Sequence, residues 1–251
     1  MKLIPHTLLL SLLITGCSES NSVNEIIEQP IINLVKTSNT DVQYISPTFI
    51  GSSVNEQKKL LTQLSAQAQL SDEQRRQKSL IELALFSNDK NQSLSKLEAI
   101  SNNLDALSSD MPNDVEIMAA YGSALSYQAV FLQHNLGKMN FVSRKGMRLM
   151  DRAIKQAPNN LGVRLLRGVS YANMPRFLNR AKFAITDLSL IKQQSKSETN
   201  SDFLAFVNYY LAMALAKNEQ PQQAKAIWQS LKNTASPAWQ TKAIARLEEA
   251  E

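Results

Sequence analysis

Few side chains in this chain could carry covalent chemistry. Beyond residue 16 the one histidine is His134, with nothing around it resembling a nucleophile elbow, so a Ser-His-Asp device would hang on a lone imidazole. Seven glycines in 251 residues leave no Gly-rich loop to cradle a phosphate. Asp89, Asn91 and Ser93 imitate the opening of a calcium loop, but Leu94 stands where the turn glycine belongs and Ile100 where the closing Glu belongs. Acids are plentiful, yet no spacing singles out a pair. The expectation is a non-enzymatic protein with no catalytic residue, no metal and no cofactor.

Charge is the better lead. From residue 138 to 192 there are twelve Lys or Arg against Asp151 and Asp187, a net +10 in a chain whose total is +5. Arg144, Arg148, Arg152 and Lys155 recur at helical steps, and Met147, Met150 and Ile154 mark the opposite stripe. A solvated face is the bland explanation. Against it, the block is nearly unipolar, and like charges four residues apart repel on a helix. The stripe, joined by Arg164 and Arg167, is therefore the candidate site for an acidic partner or an anionic ligand. Met147, Met150, Met174 and Met213 could form an adaptable binding surface, but their helical spacing reads as core.

The N-terminus supplies an address. Lys2 and an apolar run over residues 8–14 form a signal-peptide core, too short to span a bilayer as a permanent helix. Ile14-Thr15-Gly16-Cys17 resembles a bacterial lipobox, with small residues at the scissile bond and an unhindered thiol for acyl transfer. Cys17 is the only Cys in the chain, which suits a lipid acceptor and excludes an internal disulfide. The resemblance implies a lipoprotein, with diacylglyceryl and palmitate chains holding it to the membrane. Ser18 in place of an Asp points to the outer membrane of the envelope, facing the periplasm. That address leaves no place for nucleic acid as a partner.

Composition and punctuation give the body. Beyond residue 16 only six Gly and seven Pro remain, and Leu, Ala, Gln, Lys and Ser dominate, as in an all-α domain. Residues 1–16 read as the leader and residues 17–53 as a polar tether. Within the tether the apolar Ile26, Ile27, Ile31, Ile32, Leu34 and Val35 suggest a short segment that docks on the body. Residues 54–251 read as one helical domain. Leu60, Leu61, Leu64 and Ala68 form its first stripe. Ser71 with Gln74, and Asn113 with Glu116, fit capping boxes. Residues 133–143 read as a long helix-to-helix connection. Pro158-Asn159-Asn160 and Glu219-Gln220-Pro221 are turns. A terminal helix from Trp239, with Ile244 and Leu247 inward and Lys242 and Arg246 outward, would seal the open end.

Small Gly146, bulky Met150, small Ala153 and Pro158, then Gly168 and Tyr171, then Ala224 and Trp228, resemble the tetratricopeptide repeat (TPR) pattern over residues 113–237. The long interval before Pro158, and Arg164 and Arg167 where apolar residues are common, depart from it. The resemblance implies a right-handed superhelix of antiparallel helix pairs with a C-terminal capping helix, whose concave face binds peptides or partner helices. An envelope adaptor or scaffold follows. The alternative is a binding protein for a small anionic solute, accessory to a transporter, which would need buried arginines around one cavity.

Overall fold

The computed structural model describes residues 34–36, 42–51, 53–195 and 201–249. The leader, Ile14-Thr15-Gly16-Cys17 and most of the tether lie outside the described residues. Ten α-helices make up nearly all of what is described, with one two-stranded ribbon, so the chain is all-helical. It divides into two compact units, Met1–Val163 and Arg164–Glu251.

The first unit holds α1 (Val54–Ser65), α2 (Asp72–Asn88), α3 (Leu94–Asp110), α4 (Val115–Phe131), α5 (Leu136–Gln156) and the opening of α6 (Leu161–Asn173). Each of α1 to α5 packs on its neighbour in sequence, and α2 also reaches α4. Capping boxes open α1 at Ser53 with Glu56 and α2 at Ser71 with Gln74. The expected stripe of α1 is shortened: the helix stops at Ser65, leaving Ala68 exposed beyond it, while Leu64 is buried. Helix α4 is buried on every side from Glu116 to Leu125, with Ile117, Ala119, Ala120 and Ala124 fully enclosed. At its C-terminal end the Tyr127 ring stands edge-on to Phe86 at 5.5 Å.

Helices α4 and α5 meet backbone to backbone. A methyl group added at Gly146 would lie 2.4 Å from the Gly122 carbonyl and from Ser126 Oγ, and one at Gly122 would lie 2.7 Å from the Gly146 carbonyl. Only two glycines allow this crossing. It turns Val142, Gly146, Met147, Met150 and Ala153 inward and leaves the opposite face of α5 outside.

Two expectations are corrected here. The cap of α4 is Asp114, whose carboxylate accepts from the Glu116 and Ile117 amides, rather than Asn113 boxed with Glu116. Glu116 does not fold back because it is held elsewhere. Its carboxylate accepts from Thr48 Oγ1 at 2.7 Å, the Thr48 amide at 3.2 Å and Asn160 Nδ2 at 3.0 Å, with Arg76 Nη2 at 3.5 Å. Arg76 also pairs with Asp114 and with Glu73. Second, residues 133–143 are not an extended connection. The α4–α5 turn is over by Asn135, which caps α5, and the spare length makes α5 a 21-residue helix.

The segment that docks ahead of α1 lies later than the apolar cluster that suggested it. Leu34–Lys36 pairs antiparallel with Gln43–Ile45, and the Ile45 amide donates to the Asn159 carbonyl at 3.0 Å. Ile50 is buried, and Gln77 Nε2 donates to the Phe49 carbonyl at 2.8 Å. Residues 43–51, assigned to the tether by composition, thus belong to the folded body. Of the cluster 26–35, only Leu34 and Val35 fall within the described residues.

The second unit holds the rest of α6, a 3-10 turn Arg176–Leu178, α7 (Ala181–Gln194), α8 (Ser201–Lys217), α9 (Pro221–Thr234) and α10 (Pro237–Glu248). Gly168 lets α6 approach α7, since an added methyl group would meet Leu188 Cγ at 2.9 Å. Helix α8 is the enclosed one here, and α9 and α10 both pack on it. Phe206 stands edge-on to Tyr210 at 5.0 Å and to Trp239 at 5.9 Å. That contact fixes the rotation of α10. Trp239 and Ala243 face inward and Arg246 follows them, its Nε donating to Tyr209 Oη at 3.1 Å. Ile244, expected inward, is 37% exposed, and Leu247 is only half-buried. Lys242, expected outward, lies over the Trp239 ring at 4.3 Å.

The Glu116 cluster joins four parts of the first unit, so its removal should be felt as a whole. Glu116→Ala should lower unfolding stability by about 3–5 kcal/mol, because Arg76, Thr48 and Asn160 lose one acceptor together. Glu116→Gln, which keeps the oxygen and loses the charge, should lose less. Urea denaturation of the two variants beside the wild type checks the order.

Candidate interaction site

Helix α5 carries six bases and one acid, Asp151. Two of the bases are engaged inside the unit: Lys138 Nζ pairs with Glu98 at 2.9 Å, and Lys145 Nζ donates to Tyr121 Oη at 2.7 Å. The other four, Arg144, Arg148, Arg152 and Lys155, are exposed. None of the four forms an ion pair or a hydrogen bond with a described residue. They recur at steps of four, four and three, so they share one stripe diametrically opposite the Gly146 crossing.

Phe141 extends the stripe by one more step. It is 64% exposed, three residues before Arg144 and seven before Arg148. Its place on this face was hidden in the sequence, because residues 133–143 read as a connection rather than as helix. Aromatic residues and arginine are both enriched in protein interfaces. The stripe is a linear, cationic, partly apolar ridge on a rigid helix.

Arg164 and Arg167 do not join it. Both belong to the second unit and converge on Asp187 of α7, which is fully enclosed. Arg164 Nη1 donates to Asp187 Oδ1 at 2.7 Å, and Arg167 donates to both carboxylate oxygens, at 2.7 and 3.1 Å. Burial pushes the Asp187 carboxyl up, and the two guanidiniums oppose that shift. Helical spacing signals none of this, because the acid that claims them lies 23 and 20 residues further on.

His134 sits exposed in the α4–α5 turn. The Asp89 carboxylate accepts from the Asn91 amide and pairs with Lys96 Nζ at 3.0 Å, contacts that hold it below its ordinary value. Among the described residues no three His, Cys, Asp or Glu side chains gather as metal ligands would. Met147, Met150, Met174 and Met213 are buried, as are Trp228 and Trp239. A groove of about 440 Å³ runs between α9 and α10, lined by Lys225, Gln229, Lys232, Ile244 and Leu247 among others. It lies away from Arg164 and Arg167 in the chain and is open to solvent. No described helix is long and apolar enough to cross a membrane.

No family model, no curated protein and no solved structure matches this chain.

One half-buried base has a measurable signature. Lys217 Nζ donates to the Ala172 and Met174 carbonyls at 2.6 and 2.9 Å, covering the C-terminal end of α6. Burial, with a smaller push from Arg246, lowers its pKa from 10.5 to about 8. Between those two values the unfolded chain holds a proton that the folded chain has released. Stability should therefore rise with pH across that window and be independent of this group below it. Urea midpoints from pH 7.5 to 10 should climb in the wild type, and Lys217→Met should flatten the climb. Lys242, also lowered to about 8 by burial, should supply the residual slope.

Proposed function

We propose that this chain is a lipid-anchored, non-enzymatic adaptor of the bacterial envelope. In this reading its helix pairs stack as a TPR-type superhelix, and the α5 ridge docks an acidic partner protein. One observation carries the docking face: Arg144, Arg148, Arg152 and Lys155 stand exposed in a row without a counter-ion among the described residues. Every other base on α5 has found a partner within the unit.

The superhelix is supported by the packing order within each unit, in which α1 to α5 and α7 to α10 contact their neighbours and α2 with α4, and α8 with α10, pack as next-but-one pairs. Small residues at the close crossings, Gly122, Gly146 and Gly168, agree with it. The choice of an adaptor over a binder of small anionic solutes rests on Arg164 and Arg167. A solute site needs buried arginines with free donors around a cavity, and these two donate to Asp187.

The anchor rests on Ile14-Thr15-Gly16-Cys17, with the outer membrane favoured by Ser18. Cys17→Ala should move the protein from the membrane pellet to the soluble fraction of lysed cells. A wild type that is already soluble and carries no lipid would end that part of the proposal.

The docking face is tested by charge reversal. Arg148→Glu with Arg152→Glu should leave helicity and melting nearly unchanged, since both side chains are exposed. Each contact on such a face contributes about 0.2–1 kcal/mol, so the loss should be collective and salt-sensitive. Affinity purification beside the wild type, at low and high salt, should recover partners with the wild type at low salt only. Identical recoveries under all conditions would reduce the ridge to a solvated face.

A further inference from the structure

The most exposed large apolar side chain among the described residues is Phe177, at 81%. It lies in the second unit, on the 3-10 turn between α6 and α7, and it owes nothing to the α5 ridge. A turn that left such a ring in water by accident would be expected to be loose. This one is fixed at both ends. Lys217 Nζ donates to the Ala172 and Met174 carbonyls ahead of it, and Arg176 pairs with Glu219. The Leu178 amide donates to the Pro175 carbonyl at 3.1 Å, and Asn179, in the left-handed region at φ 54°, closes the turn on Arg176. The ring is held out on a rigid backbone.

Its flanks are basic. Arg176 precedes it directly and is itself 65% exposed at the side chain. Arg180 lies 5.5 and 5.7 Å from the Tyr171 and Phe183 rings, and exposed Lys182 lies 5.3 Å from the Phe183 ring. Within residues 175–182 there is no acid, and the one that reaches Arg176, Glu219, is itself 77% exposed at its side chain, which leaves the flank net positive. A cationic flank fits an anionic surface. A single convex ring with no groove of its own fits a fluid surface, which needs no complementary pocket and takes an aromatic side chain at the headgroup level.

We propose that the turn around Arg176–Leu178 is a membrane-contact point: Phe177 enters the headgroup region of a bilayer containing anionic phospholipid, while Lys182 meets the phosphates and Arg176 exchanges its exposed pairing with Glu219 for them. The contact does not depend on acylation of Cys17 or on the partner of α5.

The test reads the position itself. Phe177→Trp is made in the full chain, where the two natural tryptophans, Trp228 and Trp239, are buried and give a constant background. Melting should match the wild type, because the side chain is exposed in both. With vesicles of phosphatidylglycerol in phosphatidylcholine, emission from the new Trp should move to the blue. Brominated acyl chains should quench it, and aqueous iodide should lose access to it. Pure phosphatidylcholine vesicles should give little of this, and adding Arg176→Glu and Lys182→Glu should remove it. Phe177→Ala should weaken vesicle binding by at least about tenfold, the worth of one buried aromatic side chain. The proposal is overturned if iodide reaches the new Trp equally well with and without saturating anionic vesicles. It is equally overturned if that Trp is shielded only by another protein.

Discussion

The arrangement of the first unit depends on how closely α4 and α5 approach. Gly122 and Gly146 let the two backbones touch, and no other residue type would permit it at that distance. A helix has one rotational freedom about its own axis, and the crossing removes it. Once Gly146 faces α4, residues half a turn away must face outward. The cationic row on α5 is thus positioned by a contact on the far side of the helix. The row is continuous because α5 is a single helix of 21 residues.

Charge is treated in two distinct ways. Where acids are enclosed, donors are brought to them: Asp187 receives Arg164 and Arg167, and Glu116 receives Arg76, Thr48 and Asn160. Enclosed charge without a partner would be severely destabilising, so these sites are closed systems with no capacity left for a ligand. On α5 the reverse holds, with four cations in water where solvation suffices. The segment that looked uniformly basic in sequence therefore divides. Arg164 and Arg167 are internal accounting, whereas the α5 row and the bases around Phe177 face outward.

Much of the helical pattern was legible because burial repeats with the period of the helix. Ser71 with Gln74, the inward Met147 and Met150, and the turns at Pro158 and Pro221 all follow from local chemistry. What escaped depends on distant partners. Asn113 looked like a cap until Glu116 was drawn to Thr48 and Asn160, 68 and 44 residues away. Arg164 and Arg167 looked like part of a binding face because Asp187 cannot be assigned to them by spacing. Phe141 was hidden by an assumed repeat length: the extra residues were read as loop, whereas they extend the helix. Ile244 was misjudged because two apolar faces of α10 were possible, and the fit of Trp239 against Phe206 selected the other one.

The strand-like segment ahead of α1 bears on mechanics. Residues 43–51 do not simply lead into α1. The Ile45 amide is bonded to Asn159, between α5 and α6, and Thr48 is bonded to Glu116 at the start of α4. A pull on the chain ahead of Gln43 would therefore bypass α1, α2 and α3 and load the middle of the unit directly. Several hydrogen bonds and the buried Ile50 side chain would share that load instead of yielding one by one from the end. Such a joint behaves as a strain relief: the helices behind it keep their arrangement while the segment in front is under tension.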